Sequence, residues 1–344
     1  RRPSNVKKEI LRPLSAINRL SKRRGAQLID VAMASLAVRH RETYHFNHAN
    51  PAEVYVADVG RGVAVAVFGL SPAKRFPLEC TMGFLILSNG VPIGYGGSSV
   101  LFRQVNTGIN IFDEYRGSEA SFLWVQVMRV YHALVGCTRF IANPYQFGGE
   151  NTEALRSGAF WFYYHLGYRP VLPEVRQLAW AELKRRKRQP GYRSSQAVLR
   201  QLASCDMHLV LADARSSDLF DEEWLTTSSQ LAATILSRAG TVTRSEAGTK
   251  IVRQVARDLG MRRVDAWPTD QKRGFEKIAP FVAAARPAAW PAAAKKLMRT
   301  ILRAKGGACE ADYARMLAQH DHFLQELRAA CRRQDRQLTD SLLQ

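Results

Sequence analysis

The stretch Asn89-Gly90-Val91-Pro92-Ile93-Gly94-Tyr95-Gly96 decides how this chain is read. Asn-Gly tolerates positive φ at both central positions of a tight turn, and apolar runs flank it, Gly83 to Leu87 before and Pro92 to Phe102 after. That combination predicts a β-hairpin. Upstream, Val54-Tyr55-Val56 and Val63-Ala64-Val65-Ala66-Val67-Phe68 flank Gly60-Arg61-Gly62 and predict a second hairpin. Downstream, the pattern predicts a strand over 107–112, a helix over 118–135 and a short strand over 139–142. A long helix over 151–166 follows, closed by Gly167, and one more strand is expected within 171–181.

Outside this block the periodicity changes. Apolar residues recur at helical spacing over 1–24 and again over 27–41. The run Leu183-Lys184-Arg185-Arg186-Lys187-Arg188-Gln189-Pro190-Gly191 reads as a linker or an exposed helix end, solvated rather than a nucleic-acid contact. Beyond it, helices are predicted over 196–204, 222–239, 245–259, 271–285, 291–304 and 310–338. The expected organisation is an N-terminal helical segment (1–50), an α+β unit with a mixed sheet (51–182), a basic linker (183–191) and an all-helical C-terminal domain (192–344).

The net charge of +20 implies attraction to polyanions, although arginine outnumbers lysine, as a GC-rich coding sequence would also produce. No apolar run approaches the roughly 18 residues that cross a bilayer. The opening Arg1-Arg2-Pro3 lacks an initiator Met and reads as a fragment or a processed product, and the segment after it has no export-type apolar centre. The expected location is cytoplasmic. Five scattered cysteines with no CxxC pair support neither a disulfide framework nor a zinc site. His40, His45 and His48 have no metal-pair spacing, and a packing or solvated role is expected for them, as for His320 and His322. Signatures of esterases, NTPases, metalloproteases and kinases are absent.

Three segments in order carry a resemblance: the Asn89–Gly96 hairpin, Glu114-Tyr115-Arg116-Gly117 before a helix, and Phe162-Tyr163-Tyr164-His165-Leu166-Gly167-Tyr168-Arg169-Pro170. Over about ninety residues the chain resembles the GNAT superfamily of N-acyltransferases. The resemblance implies a sheet splayed at its centre, with the arm of an acyl-CoA or another acyl thioester in the gap and no metal. It places Arg116, Gly117, Ser118, Ser121 and Phe112 at the donor, and Tyr163 as the acid that protonates the departing thiolate. Glu114 or Glu119 is the candidate base. Tyr163 in the aromatic cluster 160–168 is equally readable as core.

The loop Arg116-Gly117-Ser118-Glu119-Ala120-Ser121 departs from the family pattern, because Glu119 and Ser121 stand where glycine or alanine is usual. A helix N-terminus favours an anion, but a carboxylate about 4 Å from a diphosphate would cost on the order of one to a few kcal/mol. Three explanations stand: the donor rides on a carrier protein or a tRNA, Glu119 points inward as a base, or catalysis has been lost. The loop Asn143–Asn151 is either a turn with a helix cap or the wall of an acceptor pocket. Three functions follow: acyl transfer from a thioester to a small-molecule or peptide amine; the same transfer from a tRNA- or carrier-borne donor; and non-catalytic binding of a partner or nucleic acid.

Overall fold

In chain order the strands are β1 (Asn18–Arg19), β2 (Ala49–Gly60), β3 (Val63–Leu70), β4 (Cys80–Ser88), β5 (Val91–Leu101), β6 (Gln104–Thr107), β7 (Asn110–Ile111), β8 (Arg139–Ala142), β9 (Arg169–Pro170) and β10 (Met207–Val210). They form one mixed sheet in the order β1-β2-β3-β4-β5-β6-β8-β10-β9, with β7 paired to β5. β6 and β8 run parallel, and the other pairs are antiparallel. The computed structural model describes residues 5–117, 119–211, 219–240 and 243–342.

The helices are α1 (Val6–Leu11), α2 (Lys22–Ala37), α3 (Tyr44–Asn47), α4 (Ala120–Val135), α5 (Thr152–Ser157), α6 (Ala159–His165), α7 (Pro173–Arg188) and α8 (Gln196–Leu202). After β10 come α9 (Glu222–Ser237), α10 (Arg244–Asp258), α11 (Thr269–Ala284), α12 (Ala292–Lys305), α13 (Glu310–Leu317) and α14 (Asp321–Leu342). Successive strand residues face opposite sides. Val63, Val65 and Val67 enter a core with Trp124, Met128 and Tyr131 of α4. Ala66 and Phe68 enter a second core with Ala32 and Leu36 of α2 and Phe46 of α3. Because both faces are covered, these strands are apolar at nearly every position.

Several sequence expectations change. The strand predicted over 107–112 is two short strands interrupted at Gly108 and Ile109. The helix predicted over 151–166 breaks at Gly158, whose φ of 68° ends α5 and precedes α6. In place of the strand predicted within 171–181, residues 173–181 are helical, because Val175, Ala179 and Glu182 bury one face of α7, and Pro173 suits its first turn. Of the two readings of the basic run, the helix end holds and the linker does not: Arg185–Arg188 form the last turn of α7, where cations complement the helix dipole. Residues 192–344 are not wholly helical, since β10 enters the sheet between β8 and β9. Residues 5–24 hold α1, β1 and the start of α2 rather than one long helix, and the helix predicted over 310–338 is split into α13 and α14.

Buried charges tie the C-terminal helices to the sheet. Arg75 Nη2 lies 3.0 Å from Glu53 Oε2, and Lys305 Nζ lies 2.8 Å from Glu310 Oε1, with all four side chains essentially without solvent contact. The Arg75 guanidinium also donates to the carbonyls of Leu70, Lys305 and Gly307. Glu53 Oε1 accepts from the Ala311 N–H at the start of α13. Gly69 makes room for this carboxylate, as a Cβ there would sit 2.3 Å from Glu53 Cδ. Burial lifts the Glu53 carboxyl to about 7, with Arg75 pulling the other way. Removing one partner of such a network leaves uncompensated buried charge. Arg75→Ala is expected to lower unfolding free energy by about 3–5 kcal/mol. Breaking the exposed Arg273–Asp270 pair by Arg273→Ala should change it by less than about 1 kcal/mol. Denaturant titration of both variants checks the contrast.

Candidate functional site

β6 and β8 are in register at Gln104↔Arg139, Val105↔Phe140 and Asn106↔Ile141. Past that point they take different partners. β7 stays on β5, with Asn110 opposite Tyr95 and Ile111 opposite Gly94. β8 continues with β10, with Ala142 opposite Met207. Gly108 and Ile109 belong to neither ladder, and the sheet opens between them and the chain that leaves β8 at Asn143. Gln146 leans across the opening: a Cβ on Gly108 would lie 1.7 Å from its Oε1, so a larger residue there would expel it.

Two cavities meet at this opening and share Glu42, Asn110 and Gln146 in their walls. The first, about 420 Å³, is bounded by Arg41, Tyr95, Arg116, Glu153, Phe162 and Tyr163 among others. Tyr163 is 2% exposed and packs edge-on against Trp124, Phe147 and Tyr168. Tyr163 and Ile109, at the interruption of the strand, line the same cavity. Burial raises the Tyr163 pKa well above the phenol range, so it stays a neutral proton donor at physiological pH.

The second cavity, about 310 Å³, is bounded by His45, Thr81, Ser98, Ser99, Asn106 and Asn143 among others. His45 comes from α3 and lies flat on the sheet over Gly83 and Gly97, which are paired across β4 and β5. A Cβ at Gly97 would stand 2.1 Å from His45 Cε1, and one at Gly83 would stand 2.8 Å from its Cβ. Burial lowers the His45 pKa, and the Glu42 carboxylate partly restores it. Glu42 Oε2 accepts from the Tyr95 hydroxyl at 2.8 Å. The Asn143 Oδ1 is buried and accepts no hydrogen bond among the described residues. A carboxylate, an imidazole held neutral and an unpartnered amide oxygen thus share one cavity, a set that receives N–H donors.

Of the residues singled out from sequence, Tyr163 and Arg116 line the first cavity. Arg116 Nη2 is 2.8 Å from both Asp113 Oδ1 and Glu153 Oε1, so its charge is matched within the protein. Glu114 is solvent-exposed, pairs with Arg39 at 3.6 Å and lines neither cavity. Glu119 occupies the exposed N-cap position of α4 without a side-chain cap bond and also lines neither. The two expected bases therefore stand outside the opening. Gly117 faces open space and Ser121 sits in the first turn of α4, again outside both cavities. Phe112 is core: it is 1% exposed, packs on Tyr95 and lies under the Arg39 guanidinium at 4.3 Å. Ser118 lies outside the described residues.

Glu42 and His45 are the residues that sequence reasoning did not place at a site. Only Gly83 and Gly97, facing each other in the predicted hairpin, signalled that something large lies on the sheet there. The loop Asn143–Asn151 caps a helix and also lines both cavities. Asn151 caps α5 by accepting from the Ala154 N–H, while Asn143, Tyr145 and Gln146 line the cavities. Among the described residues no group of three His, Cys, Asp or Glu side chains is placed to hold a metal, and all five cysteines are buried. No helix among them is long and apolar enough to cross a membrane.

No protein family, curated protein or solved structure matches the chain. In an NMR titration the His45 ring is expected to titrate below 6.5, and Glu42→Gln should lower its midpoint further by removing the carboxylate that stabilises the imidazolium. A midpoint at or above 6.5 in the unmodified protein contradicts this arrangement.

Proposed function

We propose that the protein is a GNAT-like N-acyltransferase, moving an acyl group from a thioester donor to an amine acceptor. The observation that carries this reading is the position of Tyr163: it lines the first cavity together with Ile109, where β6 and β8 part. An extended pantetheine arm fits between two strands that have exchanged partners, because backbone groups at Gly108 and Ile109 stand outside the ladder. One such N–H polarises the thioester carbonyl.

The acceptor amine enters from the second cavity, where Glu42, the Asn143 Oδ1 and His45 receive its N–H groups. Its nitrogen attacks the carbonyl carbon, the new N–C bond forms and the C–S bond breaks. The proton lost by the amine goes to His45, a base kept unprotonated by burial. The departing thiolate takes the Tyr163 hydroxyl proton. Holding donor and acceptor in adjoining cavities supplies the proximity on which such a transfer depends.

Thermal shift and thiol release with an acyl-CoA series, acetyl to hexadecanoyl, against a panel of amino acids and amines test the proposal. At least one acyl-CoA should raise Tm and release thiol in an amine-dependent manner. Tyr163→Phe should then lower kcat by about 10²–10³-fold with KM little changed. No stabilisation and no thiol release across the series, or full activity of Tyr163→Phe, contradicts it.

A further inference from the structure

A third cavity, about 420 Å³, adjoins the first and shares Ser157 and Phe162 with it. It lies between the α5–α6 break, the end of α7 and the start of α8, and its walls hold Arg156, Arg186, Arg193 and His165 with no carboxylate among the lining residues. We propose that this cavity binds the phosphate end of the ligand whose thioester lies in the crevice. The proposal rests on the acyl-thioester reading and adds where the phosphorylated part of the donor is held.

The floor is built. Trp161 is 5% exposed, and its Nε1 donates to Ser194 Oγ at 3.3 Å. The Arg186 guanidinium stacks on the Trp161 ring at 4.7 Å, which fixes one cation over an aromatic surface. The chain after α7 is folded back by the Tyr192 hydroxyl, which donates to the Glu182 carboxylate, while Arg185 lies over the Tyr192 ring at 4.2 Å. This return brings Arg193 into the cavity wall that also holds Arg186 and Arg156 of α5.

With fifty basic residues against thirty acidic ones, arginines without a carboxylate partner are expected on this protein. Convergence is what sets these apart. Around the crevice each arginine has its carboxylate: Arg39 has Glu114, Arg41 has Asp113, and Arg116 has Asp113 and Glu153. In the third cavity Arg156, Arg186 and Arg193 make no ion pair among the described residues, yet they surround one concave space. Like charges gathered in this way repel unless an anion joins them, and guanidinium groups match phosphate oxygens in geometry.

The loop before α4 offers the opposite environment. Arg116 is neutralised, and Glu119 stands at the helix N-terminus, where it would repel a diphosphate. Gly117 there has open space around it and no left-handed φ, so nothing in the backbone calls for glycine. The positive field therefore lies beyond Phe162 rather than at this loop. A nucleotide phosphate of a coenzyme-A-like donor and the phosphate ester of a carrier-borne pantetheine arm present the same chemistry to it.

Calorimetric titration of the full chain with adenosine 3′,5′-bisphosphate, 4′-phosphopantetheine and unphosphorylated pantetheine tests the proposal. At least one phosphorylated probe should bind, more weakly as salt rises, and the exposed double variant R156Q/R193Q should weaken it about tenfold or more. Tighter binding of the bisphosphate identifies the nucleotide end as the ligand, and tighter binding of phosphopantetheine identifies the carrier arm. Glu119→Gln and Arg315→Gln should leave the affinity within about twofold. Absence of binding by both phosphorylated probes, an unchanged affinity in R156Q/R193Q, or a gain in Glu119→Gln overturns the proposal. If the arginine-dependent binding is present but no acyl thioester releases thiol, the transfer reading fails while this site stands.

Discussion

Hydrogen bonding between β6 and β8 stops after Asn106 and Ile141, and the rest of the site depends on that interruption. Backbone N–H and C=O groups inside a protein need partners, so strands that separate must find others or meet a ligand. Here β7 keeps β5 and β8 keeps β10, which leaves Gly108 and Ile109 between two ladders. Tyr163, Gln146 and the two adjoining cavities are arranged around those two residues. A continuous strand over 107–112 would close the opening and remove the site.

The opening persists because both ends of the sheet are anchored elsewhere. β2 to β5 are clamped between α2 and α3 on one face and α4 on the other. At the far end β10, drawn from beyond residue 200, pairs with β8 and β9 and holds β8 away from β7. The C-terminal helices add a third anchor through Glu53, Arg75, Lys305 and Glu310, whose buried charges fix one packing of α12 and α13 against the sheet. Electrostatic character then changes along the groove: three arginines at one end, matched charges in the middle, and hydrogen-bond acceptors around His45 at the other.

The hairpins were legible because a period of two and Asn-Gly are local signals: β4 and β5 meet at that turn, and β8 spans the predicted residues 139–142. The break at Gly108 was not legible, since Thr107 to Phe112 has an uninterrupted strand composition and only the partner exchange shows the gap. β10 escaped notice because Met207-His208-Leu209-Val210 is four residues long and its neighbours in the sheet are distant in sequence. Tyr163 could be named from the aromatic-Gly ending of its helix. Glu42 and His45 could not, because they reach the site by tertiary packing from α3 and the loop before it, and no local spacing marks them.

The central claim is that an acyl thioester lies between β6 and β8 with its sulfur beside Tyr163. A crystal structure of the protein with a non-hydrolysable acyl-CoA thioether tests this most directly. The pantetheine arm is expected to run past Gly108 and Ile109, with the thioether sulfur within hydrogen-bond reach of the Tyr163 hydroxyl. A ligand bound elsewhere, or Gly108 and Ile109 closed onto β8 with the cavity collapsed, would contradict it.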